Sequence, residues 1–353
     1  MGPLQGLKII EFAGKGPAPF CGMMFADLGA DVVLIERASA NSNSGAVETD
    51  GNSKHALYNR GKTILKVDLK DAASHAEVMA LVAESDALIE GFRPGVMERL
   101  GFGPDTCHQH NGRLVYTRLT GWGQTGPLAN AAGHEPNYLG ITGALHYSGL
   151  NGTAPFSPGS YLGDMGGGAV MAAWGTISAI FHAQKSGQGQ VIDAAITDGV
   201  AYLSTLVRSM CASGLIPPER GNTFLDGGAF WNNTYLCADG KYVTVCALEP
   251  AFFTELVNRM QLPVEEFSLQ SQWDVQLWPI LKAKMAAVFL QKTRDQWCEL
   301  LEGTDACFGP VLDYDEAVTH PHNQARDVFF EVDGTTHVAP APRFSVSRPA
   351  IID

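Results

Sequence analysis

Two loop residues of opposite chemistry are the first candidates for catalysis in this sequence. His134 stands in Gly133-His134-Glu135-Pro136-Asn137-Tyr138, and Asp164 stands in Gly163-Asp164-Met165-Gly166-Gly167-Gly168. An imidazole and a carboxyl group that face one carbon from opposite sides can take a proton from one face and return a proton to the other. The pair therefore indicates a racemase or epimerase. A single loop histidine or aspartate is more often a turn or helix-cap residue, so the remaining sequence has to support this interpretation.

Composition limits the class of protein. The chain has 353 residues, which is enough for two domains, and a formal net charge of -13. An acidic chain without a run of Lys or Arg predicts neither a nucleic-acid partner nor an anionic membrane surface. The most apolar stretch, residues 166–183, is short for a membrane span and contains His182, so we expect a buried helix.

Cysteine, histidine and glycine patterns give mainly negative evidence. The seven cysteines have no CxxC spacing, and the N-terminus shows no targeting segment, so we expect a reducing, cytoplasmic compartment. His108 and His110, like His320 and His322, lack a third ligand at a recognised spacing, so we read them as loop histidines and expect no metal site. The turn at residues 14–19 lacks the third glycine of a dinucleotide fingerprint.

Alternating strand and helix patterns fill the first part of the chain. They predict strands at residues 7–12, 31–35, 63–67, 86–90, 114–117 and 190–194, with helices at 19–28, 72–83 and 96–100 between them. This order is typical of a large α/β domain with a Rossmann-like parallel sheet, which we place at residues 1–219.

The pattern of predicted elements changes after residue 219. A hairpin signal at Ala238-Asp239-Gly240-Lys241 and amphipathic helices at 250–260, 278–290 and 294–302 predict a smaller α+β domain at residues 220–325. Residues 326–353 are expected to return to the large domain. Five basic residues near strand ends could together hold the phosphates of an anionic ligand, namely Arg37, Lys62, Lys66, Lys70 and Arg93.

Longer stretches resemble the family III CoA-transferase superfamily of the CaiB/BaiF type over nearly the whole chain. The superfamily stretches are residues 2–7 with 26–33, 93–101, Leu119-Thr120-Gly121-Trp122-Gly123-Gln124-Thr125-Gly126, and 187–194. The stretches that resemble its alpha-methylacyl-CoA racemase branch are Ala132-Gly133-His134, Leu225-Asp226-Gly227-Gly228-Ala229, Leu248-Glu249-Pro250 and Gly303-Thr304-Asp305-Ala306-Cys307.

The resemblance implies roles for individual residues. His134 and Asp164 match the two catalytic bases, and Glu249, otherwise an ordinary acid at a helix start, matches the carboxylate that orients the histidine. The family usually has Asp-Ile where this chain has Glu135-Pro136, and we expect this change to affect the pocket more than the chemistry. Contacts to CoA and substrate would fall on Arg37, Val67, Asp68, Leu69, Lys70, Arg93, Gly133, Glu135, Pro136, Asn137 and Tyr138. The family also implies an interlocked homodimer whose active sites are shared between subunits.

The expected reaction is racemisation at C2 of a 2-methylacyl-CoA through an enolate, with no cofactor besides the CoA of the substrate. We expect the glycines at 166–168 and a helix start near Asp164 to stabilise the enolate oxygen and to lower the pKa of Asp164. Two alternatives remain open: a CoA transferase with Asp164 as nucleophile, and a non-catalytic acyl-CoA binding protein. Apolar residues for an acyl pocket or for the core are Met165, Leu225, Phe230 and Trp231.

Overall fold

The computed structural model describes residues 1–38 and 56–349. The chain packs into two compact units. The first comprises Met1–Ala144, Ser157–Ser204 and Asp327–Asp353, and the second comprises Leu145–Phe156 and Thr205–Arg326.

The first unit is built on a six-stranded parallel sheet. Its strands are β1 (Lys8–Phe12), β2 (Asp31–Arg37), β3 (Lys62–Val67), β4 (Ala87–Glu90), β5 (Val115–Thr120) and β6 (Gln190–Ala195). They lie in the order β3-β2-β1-β4-β5-β6, which confirms the predicted α/β fold with a parallel sheet. In this order the chain reverses direction across the sheet between β1 and β4, where open parallel sheets place their ligands.

Helices connect these strands. They are α1 (Pro17–Asp27), α2 (Ala72–Glu84), α3 (Val96–Arg99), α4 (Pro104–His110), α5 (Glu135–Thr142), α6 (Met171–Ser186) and α7 (Ile196–Leu203). A π-helix, Tyr161–Val170, runs directly into α6, and short 3-10 turns occur at Leu57–Asn59 and Ala144–Tyr147. Among the described residues no helix is both long and apolar enough to span a membrane. His108 and His110 lie on α4, and His322 lies in a short helix at Pro321–Ala325, so the prediction that these three are loop residues is wrong.

The second unit contains an antiparallel sheet of β7 (Asn232–Leu236), β8 (Tyr242–Cys246) and β9 (Phe308–Val311). The predicted hairpin is the β7–β8 pair. Phe230 and Trp231 are fully buried in the core of this unit, so they are core residues rather than the lining of an open acyl pocket. The helices of the unit are α8 (Thr205–Ala212), α9 (Pro250–Arg259), α10 (Leu269–Gln272), α11 (Trp278–Phe289), α12 (Arg294–Leu301), α13 (Tyr314–Thr319) and α14 (Pro321–Ala325).

The C-terminal segment forms a hairpin of β10 (Phe329–Val332) and β11 (Thr335–Val338) in the first unit. The Arg60 guanidinium holds it there, because Nη1 donates to the Val338 carbonyl at 2.7 Å while Nε donates to Asp27 at 2.8 Å.

Lys62 is not at the ligand edge of the sheet. It begins β3, its side chain is fully buried, and its ammonium group lies 2.7 Å from a carboxylate oxygen of Glu11. The same group donates to the Pro19 carbonyl at 2.8 Å. Lys62 therefore neutralises a buried acid beneath α1, and the hypothesis that it binds phosphate is wrong.

Candidate active site

The parallel sheet brings most predicted contact residues to one edge. Arg37 is the last residue of β2, Val67 is the last residue of β3, and Arg93 lies in the turn that follows β4. Because the carboxyl ends of parallel strands meet at one edge, these residues and the segment after Val67 emerge on the same side of the sheet. Arg37, Asp68, Lys70 and Arg93 are all exposed there.

His134 is held by the start of a helix. It is the N-cap residue of α5 in an extended conformation, and its backbone N–H donates to the side-chain oxygen of Asn137 at 3.0 Å. Pro136 lies in the first turn, where proline needs no hydrogen-bonded N–H. Pro136 and Asn137 therefore fix the helix start, and the His134 side chain remains exposed.

Two aromatic rings close the loop that carries His134. The Tyr138 hydroxyl donates to the Gly133 carbonyl, and its ring meets Trp122 edge-on with centroids 4.7 Å apart. A Cβ atom at Gly121 would lie 2.0 Å from the Tyr138 ring, and one at Gly133 would lie 2.8 Å from the Trp122 ring. Only glycine fits at both positions. Gly121 and Trp122 belong to the superfamily motif at residues 119–126, and no pattern in the sequence indicates this contact.

Asp164 lies within the π-helix rather than in a loop. A Cβ atom at Gly199 of α7 would stand 1.9 Å from the Gly167 carbonyl oxygen, so the two helices cross backbone against backbone. A Cβ at Gly16, in the turn after β1, would lie 3.8 Å from a carboxylate oxygen of Asp164. Asp164 therefore faces the turn after β1, at the carboxyl end of the sheet where β1 and β4 are neighbours. π-Helices are rare and often occur at functional sites.

Glu135 connects the His134 loop to the π-helix. Its side chain is buried, with 3% exposure of the residue, and its two carboxylate oxygens accept the backbone N–H groups of Gly163 at 3.2 Å and Asp164 at 3.1 Å. Gly163 leaves the space for this contact, because a Cβ there would lie 2.8 Å from Glu135 Cγ. The Glu135 carboxylate thus fixes the backbone of Asp164 itself.

The electrostatics around Asp164 differ from the sequence-based expectation. Burial and the nearby charge of Glu135 raise the pKa of Asp164, while a hydrogen bond with Ser160 and the charge of His134 lower it, and the net direction is upward. The helix begins before Asp164, and Glu135 already occupies the N–H groups of Gly163 and Asp164. The expectation of a lowered pKa is therefore wrong. The expected helix start near Asp164 is present, because Asp164 lies in the first turn of the π-helix, and stabilisation of an enolate by its N–H groups stays a prediction.

The charges of Asp164 and Arg93 also act on Tyr138. Burial and the charge of Asp164 raise the pKa of Tyr138, whereas the cation of Arg93 lowers it. Arg93 and Asp164 are thus both close enough to Tyr138 to act on its hydroxyl. This places the turn after β4, the His134 loop and the π-helix around one region of the first unit.

Glu249 lies in the second unit, whereas His134 and Asp164 lie in the first. It is the N-cap residue of α9, it is exposed, and its side chain makes no capping hydrogen bond. A carboxylate at this position is free to act on another group, and its role as the partner of His134 stays a prediction. Within residues 1–38 and 56–349, no three His, Cys, Asp or Glu side chains form a group that could hold a metal ion.

Comparisons with known proteins place this site in a family. The profile of CoA-transferase family III matches residues 4–350, and the chain belongs to that family. It is 41% identical over 349 residues to the alpha-methylacyl-CoA racemase of Mus musculus and 40% identical to that of Homo sapiens, covering 99% of this chain and 88% of each relative. A crystal structure of a CaiB/BaiF family protein from Brucella suis superposes with a TM-score of 0.83 at 25% identity, covering 99% of this chain and 94% of that chain.

The contact between Gly163 and Glu135 predicts a large difference between two glycine substitutions. Gly163→Ala would force Glu135 from its two N–H donors, and overpacking of this kind typically costs about 1–3 kcal/mol. Gly140→Ala in α5 meets open space, and alanine is the better helix former, so it should be neutral or stabilising by up to about 1 kcal/mol. Urea unfolding of both variants measures the difference, and equal free energies of unfolding would contradict the packing argument.

Proposed function

We propose that this protein is an isomerase that inverts the configuration at C2 of 2-methylacyl-CoA thioesters. The observation that carries the proposal is the link between His134 and Asp164, because Glu135, the residue after His134, accepts the backbone N–H of Asp164 at 3.1 Å. Identity of about 40% to racemases over 99% of the chain supports the same reaction. The carboxyl group with a raised pKa and the exposed imidazole supply one acid and one base.

The proposed reaction proceeds by two proton transfers at one carbon. Neutral His134 removes the C2 proton of one enantiomer, which the thioester acidifies, and protonated Asp164 delivers a proton to the opposite face of the enolate. For the other enantiomer, ionised Asp164 is the base and protonated His134 is the acid. Because burial and Glu135 raise the pKa of Asp164, the carboxyl group is protonated more often near neutral pH than an ordinary aspartic acid.

The basic residues at the carboxyl edge of the sheet suit the CoA portion of this substrate. Arg37, Lys70 and Arg93 are exposed where the strands end, and guanidinium and ammonium groups are the usual partners of phosphate in proteins. We propose that they hold the CoA phosphates while the thioester reaches His134 and Asp164. CoA enters as part of the substrate, and the proposal includes no other cofactor. We also propose a reducing, cytoplasmic setting, on the basis of the free cysteines.

The first test is exchange of the C2 proton with solvent. A single enantiomer of a 2-methylacyl-CoA in D₂O should gain deuterium at C2 and lose optical purity. His134→Ala and Asp164→Ala should each reduce racemisation roughly 10²–10⁴-fold, the usual contribution of a positioned acid or base. Mass spectrometry measures deuterium uptake, and chiral chromatography of the released acid measures racemisation.

Matched controls for this experiment lie on α4. His110→Ala and Asp105→Asn change an exposed histidine and an exposed aspartate of that helix and should leave the rate unchanged. Short branched, long methyl-branched and sterol acyl chains should each be tried. If none exchanges, the racemase proposal fails; a CoA adduct trapped on Asp164 would then favour the transferase, and tight acyl-CoA binding without an adduct would favour a binding protein.

Glu135 should control the pH profile of the reaction. Glu135→Gln removes the negative charge that, after burial, most raises the pKa of Asp164, so this pKa falls. For the enantiomer that needs protonated Asp164, kcat/KM declines as pH rises through this pKa, and in the variant that decline moves to lower pH. We expect a rate near neutral pH roughly 10-fold lower, and pH profiles of kcat/KM measure it.

The conservative control is Glu135→Asp, which keeps the charge while shortening the reach to the N–H groups of Gly163 and Asp164. Its pH profile should stay closer to that of the wild type than the profile of Glu135→Gln. A profile that is identical in the wild type and in Glu135→Gln would show that Glu135 has no influence on the catalytic acid.

An exposed apolar stripe on α6 supports the proposed homodimer. Val170, Trp174 and Phe181 project from one side of the helical segment, and they are 43%, 59% and 60% exposed. The expectation that residues 166–183 form a buried helix is therefore wrong for this side of the segment. Exposed apolar side chains that align in this way commonly mark a protein interface. We propose that two copies of the chain associate, and that Glu249 of one copy completes the site formed by His134 and Asp164 of the other.

Mixing two inactive variants tests the shared site. If Glu249 acts across the interface, a heterodimer of His134→Ala and Glu249→Ala subunits contains one site with both residues intact and one site with neither. Co-expression of the two variants should therefore restore activity to about half of the wild-type level per heterodimer. Each variant mixed with itself is the control. Purified heterodimers without activity would contradict a shared site.

A further inference from the structure

Two cysteines that are distant in the sequence meet in the second unit. Cys246 is the last residue of β8, and Cys307 directly precedes β9. The antiparallel register pairs Val245 with Phe308, so the next pair outward is Cys246 with Cys307. The backbone N–H of Cys246 donates to the Cys307 carbonyl at 2.9 Å, which shows that the pairing continues to these residues. Neither residue has formed a disulfide.

Cys246 lies on the outer face of this sheet. Cys307, beside it, is half-buried, has a left-handed backbone with φ 51°, and packs against the edge of the core of the second unit. Buried Val243 and Val245 alternate with exposed Thr244 and Cys246 along β8. Gly309, opposite Thr244, is on the same outer face, since a Cβ there would lie 3.8 Å from the Thr244 methyl group. Directly opposed residues in antiparallel strands have Cα atoms roughly 4.5–5.5 Å apart, within the range of about 4.4–6.8 Å that a disulfide needs.

Glu249 acts on both thiols. It follows Cys246 by three residues at the start of α9. Burial and then the charge of Glu249 raise the pKa of the Cys246 thiol. Burial, the Cys246 thiol, Glu249 and Asp305 raise the pKa of Cys307. Thiols of this kind are mostly protonated at neutral pH, so they exchange slowly and respond only to sustained oxidation or to higher pH.

We propose that Cys246 and Cys307 form a dithiol that closes to a disulfide by exchange with a small-molecule disulfide such as glutathione disulfide, and that closure inhibits the enzyme. The thiolate of Cys246, the more exposed residue, attacks one sulfur of the small disulfide, forms a mixed disulfide and releases one thiol. The Cys307 thiolate then attacks the Cys246 sulfur and releases the second thiol. Two protein thiols are oxidised, and one small disulfide is reduced to two thiols.

Inhibition by the disulfide follows from the position of Glu249. This second part of the proposal rests on the proposed function. Leu248 donates its backbone N–H to the Cys246 carbonyl at 3.1 Å, so a movement of Cys246 toward Cys307 is transmitted along the short segment that ends at Glu249. Closure also removes two ionisable thiols from beside the carboxylate. We therefore expect the racemisation rate to fall several-fold on oxidation and to recover with dithiothreitol.

The test follows thiol chemistry and activity separately in the full-length protein. After incubation with glutathione disulfide, quenching in acid and alkylation, intact mass and peptide mapping should show a link between Cys246 and Cys307. Cys307→Ser should instead retain a glutathione adduct on Cys246. Cys298→Ser alters another partly exposed thiol of the same unit and should form the link as the wild type does. Full alkylation of both cysteines after prolonged incubation would overturn the proposal.

The activity measurement separates this proposal from the proposed function. The regulatory half is supported if oxidation lowers the racemisation rate of the wild type reversibly. In Cys307→Ser the glutathione adduct on Cys246 should lower the rate less than the disulfide does in the wild type. A link that forms without any change in racemisation rate overturns that half. A reduced protein that exchanges no C2 proton on any acyl chain refutes the proposed function, while the mass measurement still decides whether the dithiol closes.

Discussion

The buried carboxylate of Glu135 is the contact on which the site depends. It spans two elements that are separate in the sequence, because it belongs to the first turn of α5 and binds the N–H groups of Gly163 and Asp164 in the π-helix. A carboxylate so deeply buried is stable only when its oxygens have donors, and the π-helix supplies them. The same contact fixes Asp164 relative to His134, the residue just before Glu135. Glu135 therefore sets both the position of Asp164 and part of the charge that raises its pKa.

The space for this contact is created by missing side chains. Gly163 admits Glu135, Gly167 and Gly199 allow the π-helix and α7 to touch, and Gly121 and Gly133 admit the rings of Tyr138 and Trp122. Each glycine loses more backbone freedom on folding than another residue would, and this entropic cost is offset where a close approach is needed. Their concentration around His134 and Asp164 means that backbone atoms line this region, so small substitutions at these glycines would displace His134 and Asp164.

The sequence predicted local structure well and long-range contacts poorly. The six parallel strands were predicted within a few residues of their true ends, because apolar runs between turn signals are a local property. Lys62 precedes the predicted strand at residues 63–67, so its position at the amino end of β3 could have been predicted, whereas its buried ion pair with Glu11 could not. The π-helix, the bond from Glu135 to Asp164 and the Cys246–Cys307 pair depend on contacts between distant segments. No periodicity could reveal them, although the Glu135 replacement was visible as a departure from the family pattern.

A two-base racemase needs acids of comparable strength on its two faces. Ordinary aspartate and histidine have pKa values of about 3.9 and 6.5, so an unperturbed pair would hold its proton almost entirely on histidine near neutral pH. Protonated Asp164 would then be rare, and racemisation of the enantiomer that needs it would be slowed by the low population of this acid. Burial and the charge of Glu135 raise the pKa of Asp164 toward that of an imidazole, which narrows this gap. The acid adjacent to His134 in the sequence thus acts on Asp164, in contact and in charge, which an apolar residue filling the same space would not do.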